Sequence, residues 1–275
     1  EEIWGAIFEM VKLSTGKQDP YRKEKLAARQ TAYLLIHQFQ DQDLDWIERL
    51  KLVIAGNLID YSNTRVVNNL SHNPRYFEES LLVALSSDFS INCFSQFQEY
   101  VIEASPKRLV WLIDNDGESI FDMWFIEQLA ELGHQVVVVG KQEPASNDTT
   151  LADLHEISRS PEFQKLRDQM RYGHVTFIAS GSATIGTNLN QSTSEFANAL
   201  LDADIIIAKG QGNFFTTQGL KKDTFYLLLS KGITSEESTG VIADRSKAID
   251  GLILGYVPAN VRLENTLKDY CQQQN

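Results

Sequence analysis

The sequence predicts an open, three-layer α/β/α fold with a mostly parallel, Rossmann-like sheet, preceded by an all-helical N-terminal domain. Three observations carry that expectation. From residue 106 onward, short runs rich in β-branched residues alternate with helix-length segments. Those runs are apolar on both faces, as strands buried between two layers of helices must be. Residues 1–105, in contrast, repeat apolar positions at three- and four-residue spacing, with no stretch that alternates like a strand.

In the first third, AIFEMVKL, ARQTAYLLIHQF and RYFEESLLVAL read as helices. Asp19-Pro20 and Asn73-Pro74 read as helix N-caps followed by Pro at the first helical position. Pro106 marks a seam between a helical domain over 1–105 and an α/β domain over 106–275. Beyond it, RLVWLI, QVVVVG, VTFIAS and DIIIAKG read as buried parallel strands, and TFYLLLS and DGLILGYV as added edge strands. The intervening helices are SIFDMWFIEQLAEL, stopped by Gly133, TLADLHEISRSPEFQKLRDQMR, interrupted at Pro161, and SEFANALLDA. The Trp and Phe residues of DMWFIEQL are read as the helix face that packs on the sheet.

Composition narrows the classes of function. Of 275 residues, 43% are hydrophobic and 23% charged, enough apolar material for a large core. The net charge of -12 argues against a nucleic-acid or anionic-membrane partner, because phosphate surfaces bind clustered Lys and Arg. Cys93 and Cys271 stand far apart, so neither a disulfide framework nor a thiolate zinc signature is present. No apolar run approaches about 18 residues, and the first segment carries acids where a signal peptide carries bases, so a cytoplasmic protein is expected. No pattern specifies an oligomeric state. His72, His134, His155 and His174 lack ligand-pair spacing and are read as structural or surface residues.

In open α/β sheets, ligands bind beyond the carboxyl ends of the strands. RLVWLI runs into Asp114, Asn115, Asp116 and Gly117; QVVVVG is followed by Glu143, Asn147 and Asp148; VTFIAS ends in Ser180 and Gly181; DIIIAKG leads to Lys209, Gly210, Gln211, Gly212 and Asn213. Asp and Asn oxygens are hard donors suited to magnesium, manganese or a similar cation. The Gly-rich KGQGN would let backbone N–H groups approach an anion, with Lys209 as a point charge for a phosphate. Plainer readings exist for each piece alone: a tight turn for Asp-Asn-Asp-Gly, a helix N-cap for Asn147-Asp148, and a common Gly-rich loop for KGQGN. Their joint placement on one rim favours a ligand site.

Together these segments resemble the metal-dependent damage-control phosphatase family of the stand-alone, DUF89 type, for which an acidic-residue methyltransferase activity has also been suggested. The resemblance covers most of the chain, from TGKQDPYRKEK and VIAGNLIDYSN through LIDNDGESIFD to SNDTTLAD and DIIIAKGQGNFF. It implies a phosphatase that hydrolyses small phosphorylated metabolites, sugar phosphates or damaged cofactor precursors, with a divalent metal ion such as manganese, nickel, cobalt or magnesium. It makes Asp114, Asn115 and Asp148 the metal ligands. Glu118, Lys209, Gly210, Gly212 and Asn213 would contact substrate, with Lys209 on the phosphate. Lys231 matches a basic family position, and Asn57 and Asp60 match a motif lining the site from the helical part. Two departures stand out. The family's Cys-x-x-Cys pair near the N-terminus is absent, which fits truncation or a divergent branch, and Asp116 stands where the family has a small residue.

The implied chemistry is phosphomonoester hydrolysis, with Asp114, Asp148 and Lys209 as catalytic residues and either Asp as general base. Three rivals remain: a haloacid-dehalogenase-like phosphatase with Asp114 as nucleophile, a carboxyl methyltransferase using S-adenosylmethionine, and a catalytically silent metabolite-binding protein.

Overall fold

Among the residues that the computed structural model describes, 2–230, 237–241, 251–263 and 266–274, seven strands form one sheet. They are β1 (Ile91–Asn92), β2 (Arg108–Leu112), β3 (Gln135–Gly140), β4 (Val175–Ala179), β5 (Ile205–Lys209), β6 (Asp223–Leu229) and β7 (Leu252–Val257), in the order β1-β7-β6-β5-β2-β3-β4. Strands β4, β3, β2, β5 and β6 are parallel; β7 runs antiparallel to β6, and β1 pairs parallel with β7. The mostly parallel α/β sheet expected from the sequence is present, with one change at its margin. Neither TFYLLLS nor DGLILGYV is an edge strand, because β6 lies between β5 and β7 and β7 between β6 and β1, and β1 comes from the helical third where the apolar spacing shows no strand.

The helices are α1 (Glu2–Thr15), α2 (Arg22–Phe39), α3 (Trp46–Ala55), α4 (Thr64–His72), α5 (Tyr76–Ser86), α6 (Phe94–Phe97), α7 (Ser119–Glu131), α8 (Leu151–Ser158), α9 (Gln164–Arg171), α10 (Ser194–Asp202), α11 (Gly210–Thr217) and α12 (Leu267–Gln274). A 3-10 turn at Pro161–Phe163 separates α8 from α9, as the proline requires. Helices α2 and α5 start later than the Asp-Pro and Asn-Pro pairs suggest. Asp19 accepts from the N–H of Tyr21 and Asn73 from that of Arg75, so each side chain builds a turn just upstream of its helix.

Successive residues of each strand face opposite cores. Leu109, Trp111, Val136, Val138, Ile205, Ile207, Phe225 and Leu227 point to the side covered by α7, α8 and α9 and, over β6 and β7, by α3 and α6 of the N-terminal third. Val110, Leu112, Ile206, Ala208, Tyr226 and Leu228 point to the side of α10, α11 and α12. Sheet residues on the first face share one continuous core with Leu50, Phe77 and Phe97 of the helical third. Helix α7 is therefore sandwiched, which explains why SIFDMWFIEQLA is apolar nearly all round. Phe125 meets Trp111 of the sheet at 6.0 Å between ring centroids, and Trp46 and Phe97 of the helical part at 5.6 and 6.2 Å.

Phe97 is fully buried and stacks edge-on against Phe225 of β6 at 5.0 Å. Phe97→Ala is expected to cost about 3–5 kcal/mol by chemical denaturation, with the helical and sheet signals still melting together; a loss below about 1 kcal/mol would show that this junction is not part of the shared core.

Candidate active site

Strands β2 and β5 are neighbours, and the chain order of the parallel strands reverses between them. Such a switch point opens a crevice at the carboxyl ends of the strands. Asp114 and Asn115 follow β2, Lys209 ends β5, and α11 begins at once with Gly210. Beside them the 114–116 segment zips to the 147–149 segment. Asn115 and Asp148 form an antiparallel bridge, Thr149 N–H donates to the Asp114 carbonyl at 2.9 Å, and Asp116 N–H to the Asn147 carbonyl at 3.0 Å. Backbone pairing thus brings Asp114, Asn115 and Asp148 together although 33 residues separate Asn115 from Asp148 (148 − 115).

Asp114 Oδ2 accepts from Asn115 Nδ2 and from Asn57 Nδ2, both at 3.3 Å. A side chain at Gly210, whose φ is +73°, would place its Cβ 1.9 Å from that same oxygen, so only glycine lets the start of α11 lie against the carboxylate. On the other loop, the N-cap of α8 is Thr150, which forms a reciprocal capping box with Asp153. Asp148 is released from capping. Its Oδ2 is buried and accepts no hydrogen bond, with Lys141 Nζ at 3.4 Å. Burial raises the Asp148 pKa above the ordinary carboxylate value, against the pull of Lys141.

Lys141 is the functional candidate that sequence reading passed over. It directly follows β3, is 5% exposed, and donates to the carbonyl of Gly186. A lysine attached to the end of an apolar strand at the binding rim was the available signal.

The expected contact of Lys209 with a phosphate is not what its surroundings offer. Its ammonium is fully buried, donates to Val53 O at 2.8 Å and Asp122 Oδ1 at 2.7 Å, and forms an ion pair with Glu118 Oε1 at 2.6 Å. Burial works against its charge, but Asp122 and Glu118 outweigh it and raise the pKa. Asp122 is also raised by burial, opposed by Lys209 and reinforced by Glu118. Asn57 donates to Glu118 Oε2 at 2.6 Å, so one amide joins this buried cluster to Asp114.

The side chain of Asn213 is likewise committed. Its Nδ2 donates to Ile113 O at 3.1 Å and Lys209 O at 2.9 Å, while its Oδ1 accepts from Thr187 Oγ1 at 2.8 Å, clasping β2, β5 and the 180s loop. KGQGN is thus a strand end passing straight into a helix, not a loop. Gly212 packs against Gly186, where an added Cβ would lie 2.9 Å from a backbone nitrogen. Asp60 sits at the rim of the helical wall, accepting from Asn147 Nδ2 at 2.9 Å beside Asp148. Lys231 lies outside the described residues. His134 is structural as expected, fixed between Lys107 N–H and the Val101 carbonyl.

Helix α2 adds a basic face that the sequence pattern hid beneath its apolar spacing. Arg29 donates to both oxygens of Asp116 and to Asp153, and Lys25 Nζ reaches Asp153 Oδ2 at 2.9 Å. Burial opposes ionisation of Asp153, but Lys25, the Thr150 hydroxyl and Arg29 bring its pKa down to about 2.

A doubly wound sheet with Asp-Asn after one central strand, Asp after its neighbour and a glycine-led helix closing on them defines a Rossmann-like protein with an oxygen-donor site at the switch point. The chain belongs to the damage-control phosphatase ARMT1-like domain family, whose model matches residues 4–234. It is 32% identical over 219 residues to a damage-control phosphatase of Pyrococcus horikoshii, covering 78% of this chain and 68% of that protein. It is 26% identical over 223 residues to a damage-control phosphatase of Archaeoglobus fulgidus, covering 78% of this chain and 70% of that one. The crystal structure of a DUF89 family protein from Pyrococcus horikoshii superposes with a TM-score of 0.71 at 28% identity, covering 91% of this chain and 79% of that one. These relatives support a phosphatase role.

Two stability experiments follow from the buried charges. Lys209→Met leaves Glu118 and Asp122 without their ammonium and is expected to cost about 3–5 kcal/mol; denaturation curves that overlay the parent's would disprove the structural role. Asp153 binds a proton more weakly folded than unfolded, so its contribution of about 2 kcal/mol is full above the unfolded value of 3.8 and is lost as pH falls through about 2. Between pH 4.5 and 2, Asp153→Asn should therefore lose stability less steeply than the parent, as read by thermal melts across that range; parallel slopes would refute the assignment.

Proposed function

We propose that this chain is a metal-dependent phosphomonoester hydrolase acting on small phosphorylated metabolites, sugar phosphates or damaged cofactor precursors. What carries the reading is the meeting of Asp114, Asn115 and Asp148 at the switch point, by backbone pairing, with the buried Asp148 Oδ2 accepting no hydrogen bond. The donor set fits a hard divalent cation. Asp114, Asp148 and the Asn115 amide oxygen would hold it, with water completing the shell. Among the described residues no group of three or more His, Cys, Asp and Glu is placed to bind a metal, and the proposed set is two carboxylates with the Asn115 amide. Manganese, nickel, cobalt and magnesium are the ions to test.

Bound there, the cation would withdraw charge from the phosphoryl oxygens and acidify a water. The remaining work falls to the chain. Asn115 and Asn57 orient Asp114 through its Oδ2, and Gly210 admits the first turn of α11, whose N–H groups run toward the rim and suit a phosphoryl anion. Lys141, beside Asp148, supplies positive charge at that rim, while Lys209 acts beneath it by holding Glu118 and Asp122. Either Asp114 or Asp148 would take the water's proton. The helical segment 1–105 would form the other wall through Asn57 and Asp60 and meet the part of the substrate beyond the phosphate.

The test is phosphate release from a panel of sugar and cofactor-precursor phosphates, with each metal added back to chelator-treated protein. Release should require metal and fall at least a hundredfold in Asp148→Asn while the melting curve stays sharp. Turnover that persists in that folded variant would overturn the assignment, and silence with every metal would favour a metabolite-binding protein.

A further inference from the structure

The extra carboxylate at Asp116 adjoins Asn115, where an unpaired charge would compete with the proposed metal ligands. It is not unpaired. Asp116 is 1% exposed, and the Arg29 guanidinium grips it side-on, Nε to Oδ1 and Nη2 to Oδ2 at 2.7 Å. The same guanidinium reaches Asp153 Oδ1 through Nη2 and Glu156 Oε2 through Nη1 at 2.9 Å, both on α8. Helix α8 starts three residues after Asp148, and the Asp116 N–H is itself bonded to Asn147 O. One side chain of α2 thus touches the loop that carries Asp114 and Asn115 and the helix that follows Asp148.

We propose that Arg29 and Asp116 are positioning residues of this chain, a buried clamp that fixes the separation of the two ligand-bearing loops and keeps the Asp116 charge away from the cation. The inference rests on the metal reading above. Its physical basis is that groups behind a metal ligand set its orientation, and their loss commonly weakens metal affinity by about 10–100-fold. Arg29 holds one ligand-bearing loop and the helix that follows the other at once, and its planar fork fixes an angle as well as a distance. Lys25, at 2.9 Å from Asp153 Oδ2, restrains α8 but does not hold Asp116 in this way. The clamp is therefore specific to the guanidinium.

The experiment is manganese binding to the full chain, read by the electron paramagnetic resonance signal of free Mn(II), together with thermal melts. The double variant Arg29→Met, Asp116→Ala removes both charges together, so no lone buried ion is created. It should melt within a few degrees of the parent and bind Mn(II) at least about tenfold more weakly. Arg29→Lys keeps the charge, loses the fork and should fall between the two; it also serves as the readout if the double variant does not fold. Native Mn(II) affinity in either folded variant would overturn the clamp. A parent protein that binds no Mn(II), nickel, cobalt or magnesium would overturn the metal reading itself, and with it this inference.

Discussion

The buried ammonium of Lys209 is the point on which the site depends. Burying a charge without partners is costly, and here the cost is offset by two carboxylates from the start of α7 and by a carbonyl near the C-terminus of α3. One side chain of β5 thereby joins the sheet, the sandwiched helix and the helical wall. The contacts then run from Glu118 to Asn57, from Asn57 to Asp114, and from Asp114 to Gly210, the residue after Lys209. They close a ring around the Asp114 carboxylate.

The ring changes the meaning of the glycine-rich segment. Sequence reading correctly located Lys209, Gly210, Gly212 and Asn213 at the rim, because an apolar strand must deliver whatever follows it to the carboxyl edge of the sheet. It assigned them to the ligand because residue type shows what a side chain can do and not which partners have already claimed it. Lys209 and Asn213 are both spent on the protein, whereas Lys141, whose strand offered the same signal, stands beside Asp148. The strands themselves were legible because both faces are apolar, and the paired loops because Asp and Asn follow two of them. Short strand β1 and the Arg29–Asp116 contact were not legible, since a two-residue ladder has no period and a basic residue inside an amphipathic helix reads as solvated surface.

The helical third is bound to the site at short range. At Gly117 an added Cβ would stand 2.8 Å from the Ala28 Cβ of α2 and 2.9 Å from the Ile59 carbonyl, so the helical third touches the Asp-Asn-Asp-Gly turn with no room for a side chain between them. Together with the shared core around Phe97 and Phe125, this packs the helical third continuously against the turn that carries the acids. Among the described residues no helix is long and apolar enough to cross a membrane.

The reversal of direction at β7 has a consequence away from the chemistry. An open parallel sheet ends in a row of unpaired N–H and C=O groups that can recruit another chain. Among the described residues, β7 covers that row on this side, and the last strand is the two-residue β1, paired with Ile253 and Leu254 of β7 and followed closely by α6. A strand that short offers little template for edge-to-edge association. Among the described residues, it is the helical third that supplies the last strand on this side, by lending Ile91 and Asn92 to Ile253 and Leu254 of β7.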